Sequence, residues 1–246
     1  MSNPRPVIMV TGAARRVGAA ISRRLHAAGC DLVLHYRQSI EDLQGLVQEL
    51  EADRPDSTMI LQAELGDIPA LPGMVRAAVA RFGRLDGLVN NASTFYATPL
   101  GQATETQWDE LFASNAKAPF FLSQAAAPHL KASRGAIVNI LDIYAERPLP
   151  EHPIYSMAKA SLRMLTLILA EALGPEVRVN AVSPGTVLWS EKPFKAETEH
   201  AIATRTMLKR VGTPEAVAEA VKFLLLDADY STGAVLPVDG GRLLST

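Results

Sequence analysis

The chain has 246 residues, 48% of them hydrophobic and 20% charged, and its 24 basic and 26 acidic side chains leave a net charge of −2. That balance describes a globular protein with one sizeable core, and it excludes intrinsic disorder and the basic surplus that a nucleic-acid binder needs. The one cysteine, Cys30, excludes an intrachain disulfide and makes a thiolate metal site unexpected; the five histidines lack ligand spacing, so no metal is expected.

From the N-terminus, MSNPRPVIMVTG shows no apolar leader, and no run of 18 apolar residues occurs after it, so a soluble, cytoplasmic protein without membrane spans is expected. Short aliphatic runs then alternate with longer amphipathic stretches, the signature of βαβ units. The runs predict seven strands at Val7 to Val10, Leu32 to Tyr36, Thr58 to Gln62, Gly87 to Asn90, Ala136 to Leu141, Arg178 to Val182 and Ala234 to Val238. Most are continuously apolar, as strands covered by helices on both faces must be. Helices are predicted at about 17–28, 40–52, 68–82, 105–130, 154–173 and 214–226. The expected fold is therefore α/β, one doubly wound domain over residues 1–246 with a mostly parallel seven-stranded sheet. The polar segment 184–206 interrupts the rhythm and reads as a substrate loop.

The first strand and helix are joined by VTGAARRVG, a turn that can offer backbone N–H groups and a helix N-terminus to a pyrophosphate. Gly12 and Gly18 frame it, with Arg16 between them. An acid that binds a ribose is expected at the far end of the second strand, but Asp31 stands at its near end, on the wrong side of the sheet. The correct end carries Tyr36, Arg37 and Ser39. A guanidinium and a hydroxyl suit a 2′-phosphate, with Arg16 as a second cation, so NADPH is expected rather than NADH.

YSMAK sets Tyr155 and Lys159 at i and i+4 on one helix face. Around it stand NNAS after the fourth strand, NAKAPFF in the next helix, and GAIVNILD ending just upstream. From VTGAARRVG through NNAS, Asn115, YSMAK and NAVSPG to VDGG, the chain resembles the short-chain dehydrogenase/reductase family over essentially its full length. The resemblance implies a Rossmann-type fold, Tyr155 as proton donor, Lys159 as its electrostatic and ribose-binding partner, and Asn115 as support for a relay water. It also implies cofactor contacts from Gly12, Arg15, Arg16, Val17, Gly18, Tyr36, Arg37, Ser39, Leu65, Asn91, Ala92, Ser93, Pro184 and Gly185, together with Tyr155 and Lys159. A homotetramer is implied by the same resemblance.

Three departures narrow the reading. Asp142 stands 13 residues before Tyr155, where the family has a serine; NNAG has become NNAS at Ser93; and the middle glycine of the turn is Arg16. With NNASTFY and LHYRQS, these features resemble the pteridine reductase branch. In that branch the aspartate matching Asp142 acts in catalysis, the residue matching Phe95 stacks on the pterin, and the arginine matching Arg16 approaches both cofactor phosphate and pterin; Ser93 adds a polar contact. The substrate set is then Arg16, Ser93, Phe95, Asp142, Tyr155 and Trp189, the last from the irregular loop.

The swap has its own chemical sense. A serine hydroxyl serves a carbonyl oxygen, whereas a pterin is reduced at C=N and needs a proton delivered to nitrogen. Lowering Tyr155 from about 10 to about 7 takes roughly 4 kcal/mol, which a lysine at about 4 Å could supply at an effective dielectric near 20. An ionised Asp142 would oppose that and keep the tyrosine protonated; a protonated Asp142 could donate directly. The substrate is read as dihydrobiopterin, dihydromonapterin or dihydrofolate, with oxidised pterins also possible. The alternatives are a 3-oxoacyl or other carbonyl reductase, or an NADPH-binding regulator without catalysis.

Overall fold

The computed structural model describes residues 5–187 and 196–245. Seven strands form one sheet in the order β3-β2-β1-β4-β5-β6-β7, every neighbouring pair parallel. They are β1 (Val7–Val10), β2 (Asp31–Tyr36), β3 (Thr58–Gln62), β4 (Gly87–Asn90), β5 (Ala136–Ile140), β6 (Arg178–Pro184) and β7 (Val235–Val238). The helices are α1 (Arg16–Ala27), α2 (Ile40–Asp53), α3 (Leu71–Phe82), α4 (Glu105–Phe112), α5 (Ala118–Ser133), α6 (Pro153–Leu173), α7 (Ala196–Thr204) and α8 (Pro214–Lys222). The expected doubly wound α/β fold is found, with a sheet that is wholly rather than mostly parallel.

Alternation along the strands builds two cores. Ile8, Val10, Leu32, Leu34, Val89 and Val138 face α1, α2 and α8, while Val7, Met9, Val33, Leu88, Ile137 and Val179 face α3, α5 and α6. Because both faces are covered, neither face of a strand tolerates polarity, which is why the sequence runs are continuously apolar. The strand order reverses between β1 and β4, and in open α/β sheets the ligand crevice opens at the carboxyl ends of the strands at that switch.

Three differences from the sequence reading matter to the site. The span 105–130 is not one helix: a capping box of Thr104 and Gln107 starts α4, and a π-helical turn over Ala113–Lys117 separates it from α5. A π turn carries one extra residue per turn and rotates the helix beyond it, and it places Asn115 inward and fully buried. The span 68–82 likewise opens with a short 3-10 turn, Ile68–Ala70, before α3. Finally, the segment 184–206 is not all loop, since α7 occupies Ala196–Thr204 and Val187 bridges in parallel to Gly212. Trp189 lies outside the described residues.

Candidate active site

Every described site residue named from the sequence falls at the carboxyl end of a strand, on the π turn, or near the start of α1 or α6. Beyond β1, Gly12 takes φ +63° and a Cβ built on Gly18 would lie 2.0 Å from the Gly12 carbonyl oxygen. That contact explains why both glycines persist. The middle position keeps the same backbone demand without the glycine: Arg16 adopts φ +51°, a conformation that costs an L-residue about 1–2 kcal/mol. The chain bears that strain to set a guanidinium where the helix begins. Gly18→Ala is expected to destabilise the protein by roughly 2–3 kcal/mol, as thermal melts would show.

The turn is clamped from two sides. Thr11 Oγ1 donates to Val89 O and accepts from the Asn91 and Ala92 N–H groups at 2.9 and 3.0 Å, and Asn91 Nδ2 donates to Thr11 O and Gly12 O. The Asn91 amide group therefore holds the turn rather than pointing out of it. From β2, His35 accepts from the Gly12 N–H through Nδ1 and from the Ala13 N–H through its carbonyl. Neither Thr11 nor His35 was singled out from sequence; the signal for His35 was an imidazole inside the otherwise apolar run LVLHY.

At the end of β2, Tyr36 is buried, Ser39 begins α2 without using its hydroxyl as a cap, and Arg37 Nε pairs with Glu64 Oε2 at 3.0 Å. Arg15 reaches across to Asp42 on α2 at 2.5 Å. Leu65 is buried beyond β3. At the opposite end of β2, Asp31 pairs with Arg5 at 3.0 Å and lies 3.7 Å from Arg54, a structural role far from the crevice. Pro184 ends β6, and a side chain on Gly185 would run into the Asp239 backbone at 2.8 Å. Close backbone approach is thus enforced on that wall.

The candidate catalytic side chains meet beyond β5. Tyr155 OH donates to Asp142 Oδ2 at 2.9 Å, and Asp142 Oδ1 accepts from the Tyr144 N–H at 3.0 Å, which fixes the carboxyl plane. Lys159 Nζ donates to Ile140 O at 2.9 Å and lies 5.7 Å from the centre of the Tyr155 ring. Burial pushes Asp142 above the usual carboxylate range, against the pull of the Tyr144 N–H, Tyr155 and Lys159. Burial, then the Asp142 charge and hydrogen bond, raise Tyr155 well above an ordinary tyrosine, with Ser93 pulling the other way. Burial lowers Lys159 to about 8, against the attraction of Asp142. Burial first, and the Asp142 carboxyl after it, hold the Tyr155 phenol in its protonated form.

Asn115 ties the neighbouring loop to the π turn. Its Oδ1 accepts from Ser93 Oγ at 2.7 Å, and its Nδ2 donates to Thr94 O and Leu111 O. Phe95 is half exposed at the mouth; its ring sits edge-on to Tyr155 at 4.8 Å and stacks on His152 at 4.7 Å with 10° between the planes. An aromatic platform, a phenol, a carboxyl and an ammonium thus converge on one opening. The arrangement can hold a flat ring and hand it a proton. Among the described residues there is no cluster of His, Cys, Asp or Glu that could hold a metal, and no helix long and apolar enough to cross a membrane.

Residues 12–242 match the family model described as enoyl-(acyl carrier protein) reductase. The chain is 36% identical to pteridine reductase 1 of Leishmania tarentolae, covering 98% of this chain and 97% of that protein. It is 37% identical to a protein described as ketoacyl reductase 2 of the granaticin polyketide synthase of Streptomyces violaceoruber, over 97% and 96% of the two chains. It is 33% identical to a 3-oxoacyl-[acyl-carrier-protein] reductase of Staphylococcus aureus, over 96% and 97%.

Proposed function

Because the chain belongs to the short-chain dehydrogenase/reductase family, whose reductases work with NAD(P)H, we propose that it is an NADPH-dependent pteridine reductase that brings dihydropterins to the tetrahydro level. The observation that carries this reading is the bond from Tyr155 OH to Asp142 Oδ2, at the position where the family's carbonyl reductases keep a serine. Hydride addition across C=N leaves a nitrogen that takes one proton, and the phenol, kept protonated beside the carboxyl, is the group in place to supply it. Phe95, edge-on to Tyr155 at the mouth, supplies a flat apolar face for a pterin ring.

The crevice suits the cofactor. The glycine cradle, the N-terminus of α1 and Arg16 would hold the pyrophosphate; Arg37 and Ser39 would take the 2′-phosphate; Leu65, Asn91, Ala92, Pro184 and Gly185 would line the rest; and Lys159 would reach the ribose. When bound, NADPH supplies the hydride. Tyr155 delivers the proton, Asp142 orients Tyr155 and the polar edge of the ring, and Ser93, through Asn115, steadies the loop that carries Phe95. Asn115 would also support a water that returns the proton to Tyr155.

A homo-oligomer is part of the proposal. Met157, Met164, Leu167 and Ile168 leave an apolar stripe exposed on α6, with Trp108 and Phe120 exposed on α4 and α5. Such a stripe on a folded chain suits an interface between copies.

The test follows NADPH oxidation with dihydrobiopterin, dihydromonapterin, dihydrofolate and a 3-oxoacyl thioester in parallel, with an NADH control. Turnover of at least one pterin with NADPH preferred is the expected result. Turnover of the thioester alone would return the chain to the carbonyl reductases that it resembles about as closely, and dinucleotide binding without any turnover would make it a regulator.

A further inference from the structure

Among the residues that the proposed reaction does not use, His35 makes the most committed contacts. Its ring lies 2% exposed at the end of β2. Nδ1 is 3.1 Å from the Gly12 nitrogen, and Nε2 is 3.1 Å from the Ala63 carbonyl oxygen. The backbone carbonyl of the same residue accepts from the Ala13 N–H at 2.9 Å. One residue thus binds two successive N–H groups of the glycine turn and, through the ring, the chain leaving β3 toward Glu64 and Leu65.

These partners admit one tautomer. The Gly12 N–H can only donate, so Nδ1 must accept; the Ala63 carbonyl can only accept, so Nε2 must carry the hydrogen. We propose that His35 is a positioning residue for the dinucleotide, holding the glycine turn and the end of β3 in binding register through its neutral Nε2–H ring. This rests on reading the crevice as a nicotinamide-dinucleotide site. It goes beyond that reading by giving the site an acid limit set from below the turn rather than by any group that touches the ligand.

The physical reason is the clash that a second ring proton creates. Protonated Nδ1 would face the Gly12 N–H donor to donor, and the turn could keep its shape only by losing that bond. The charged groups on the surrounding segments are Glu64, beyond Ala63 and paired with Arg37 on the β2 side, and Arg15 and Arg16 on the turn. Burial lowers the ring's pKa, and only the Ala63 bond and Glu64 favour the cation. Sequence alone left His35 unremarked because an imidazole inside an apolar strand is usually a packed core group.

The test measures Kd for NADP+ and for NAD+ by calorimetry across pH, on the wild type, His35→Gln and His35→Asn. His35→Asn keeps an acceptor near the place of Nδ1; His35→Gln keeps a donor toward Ala63 and loses that acceptor. Expected is about tenfold weaker binding of both dinucleotides by His35→Gln and about threefold by His35→Asn, with KM for the cofactor rising while kcat at saturation holds. The wild type should also bind NAD+ more weakly at pH values acidic of the ordinary histidine range, a limb absent from His35→Asn. NAD+ carries no 2′-phosphate, so that limb belongs to the protein.

Equal losses for both dinucleotides would support the role of His35 even if NAD+ proved the preferred cofactor, which separates this inference from the NADPH reading. A loss confined to NADP+, or no loss in His35→Gln, would overturn it. Should the variants fail to fold, nitrogen NMR of the wild-type histidine rings decides. An Nε2–H tautomer persisting to pH values acidic of the ordinary histidine range supports the assignment, and an Nδ1–H ring or titration at the ordinary histidine value refutes it.

Discussion

Tyr155→Phe is expected to lower kcat for the pterin about a thousandfold while leaving NADPH binding within about threefold, the signature of a proton donor removed from an otherwise intact site. The substitution deletes only the O–H that donates to Asp142 Oδ2 at 2.9 Å. The ring stays, and with it the edge contact to Phe95. Asp142 then loses one of the partners that hold its pKa down, so its carboxyl protonates more readily still. Steady-state rates paired with a cofactor titration make the measurement; a fall of less than about tenfold would assign the proton to another group.

The wild-type rate should also carry an alkaline limb. Lys159, lowered to about 8 by burial, loses its charge as pH rises through that value, and kcat/KM should fall with it. Folding stability runs the opposite way. The native pKa lies below that of the unfolded chain, about 10.5, so the unfolded state binds more protons between about 8 and 10.5 and stability rises with pH across that window. Set against 1.36 kcal/mol per pH unit, the gain is at most about 3 kcal/mol, readable as a rising denaturant midpoint. A site that costs stability when charged is what an active centre held for function should show.

Asp142→Ser should lower kcat/KM for dihydropterins by about a hundredfold, with NADPH affinity nearly unchanged and turnover of a 3-oxoacyl thioester preserved or improved. Two effects of the carboxyl disappear together. Its charge and hydrogen bond rank second and third, after burial, among the causes that hold Tyr155 protonated, so the phenol's pKa falls once they are gone. The polar edge facing the ring also changes from a carboxyl to a hydroxyl, which serves a carbonyl oxygen and not a ring nitrogen. The alkaline limb of the rate profile should therefore move to lower pH in the variant, because Asp142 also raises Lys159. Equal pterin turnover by variant and parent would remove Asp142 from the mechanism and leave it as the strand-end acid that caps the Tyr144 N–H.

The layered α/β fold was legible in the sequence because it depends on burial on both faces of the sheet. A strand such as VIMV, apolar at every position, has no solvent side, and the amphipathic stretches between such strands can only be covering helices. Tyr155 and Lys159 were legible because a helix fixes i and i+4 on one face whatever surrounds it. Asp142, 13 residues upstream, could be tied to them only through the likeness to a family, since no local rule brings a strand end to a helix start. The bond between Asp142 and Tyr155, the extra residue that turns Asn115 inward, and the clamp of Thr11, Asn91 and His35 on the glycine turn join residues 13 to 81 positions apart or hang on the pitch of a single turn. Composition and periodicity report which side chains are buried. The partner each buried polar atom finds, and so the proton it holds, is decided only when the strand ends are brought together, because electrostatics in a closed crevice depends on distances that pattern does not contain.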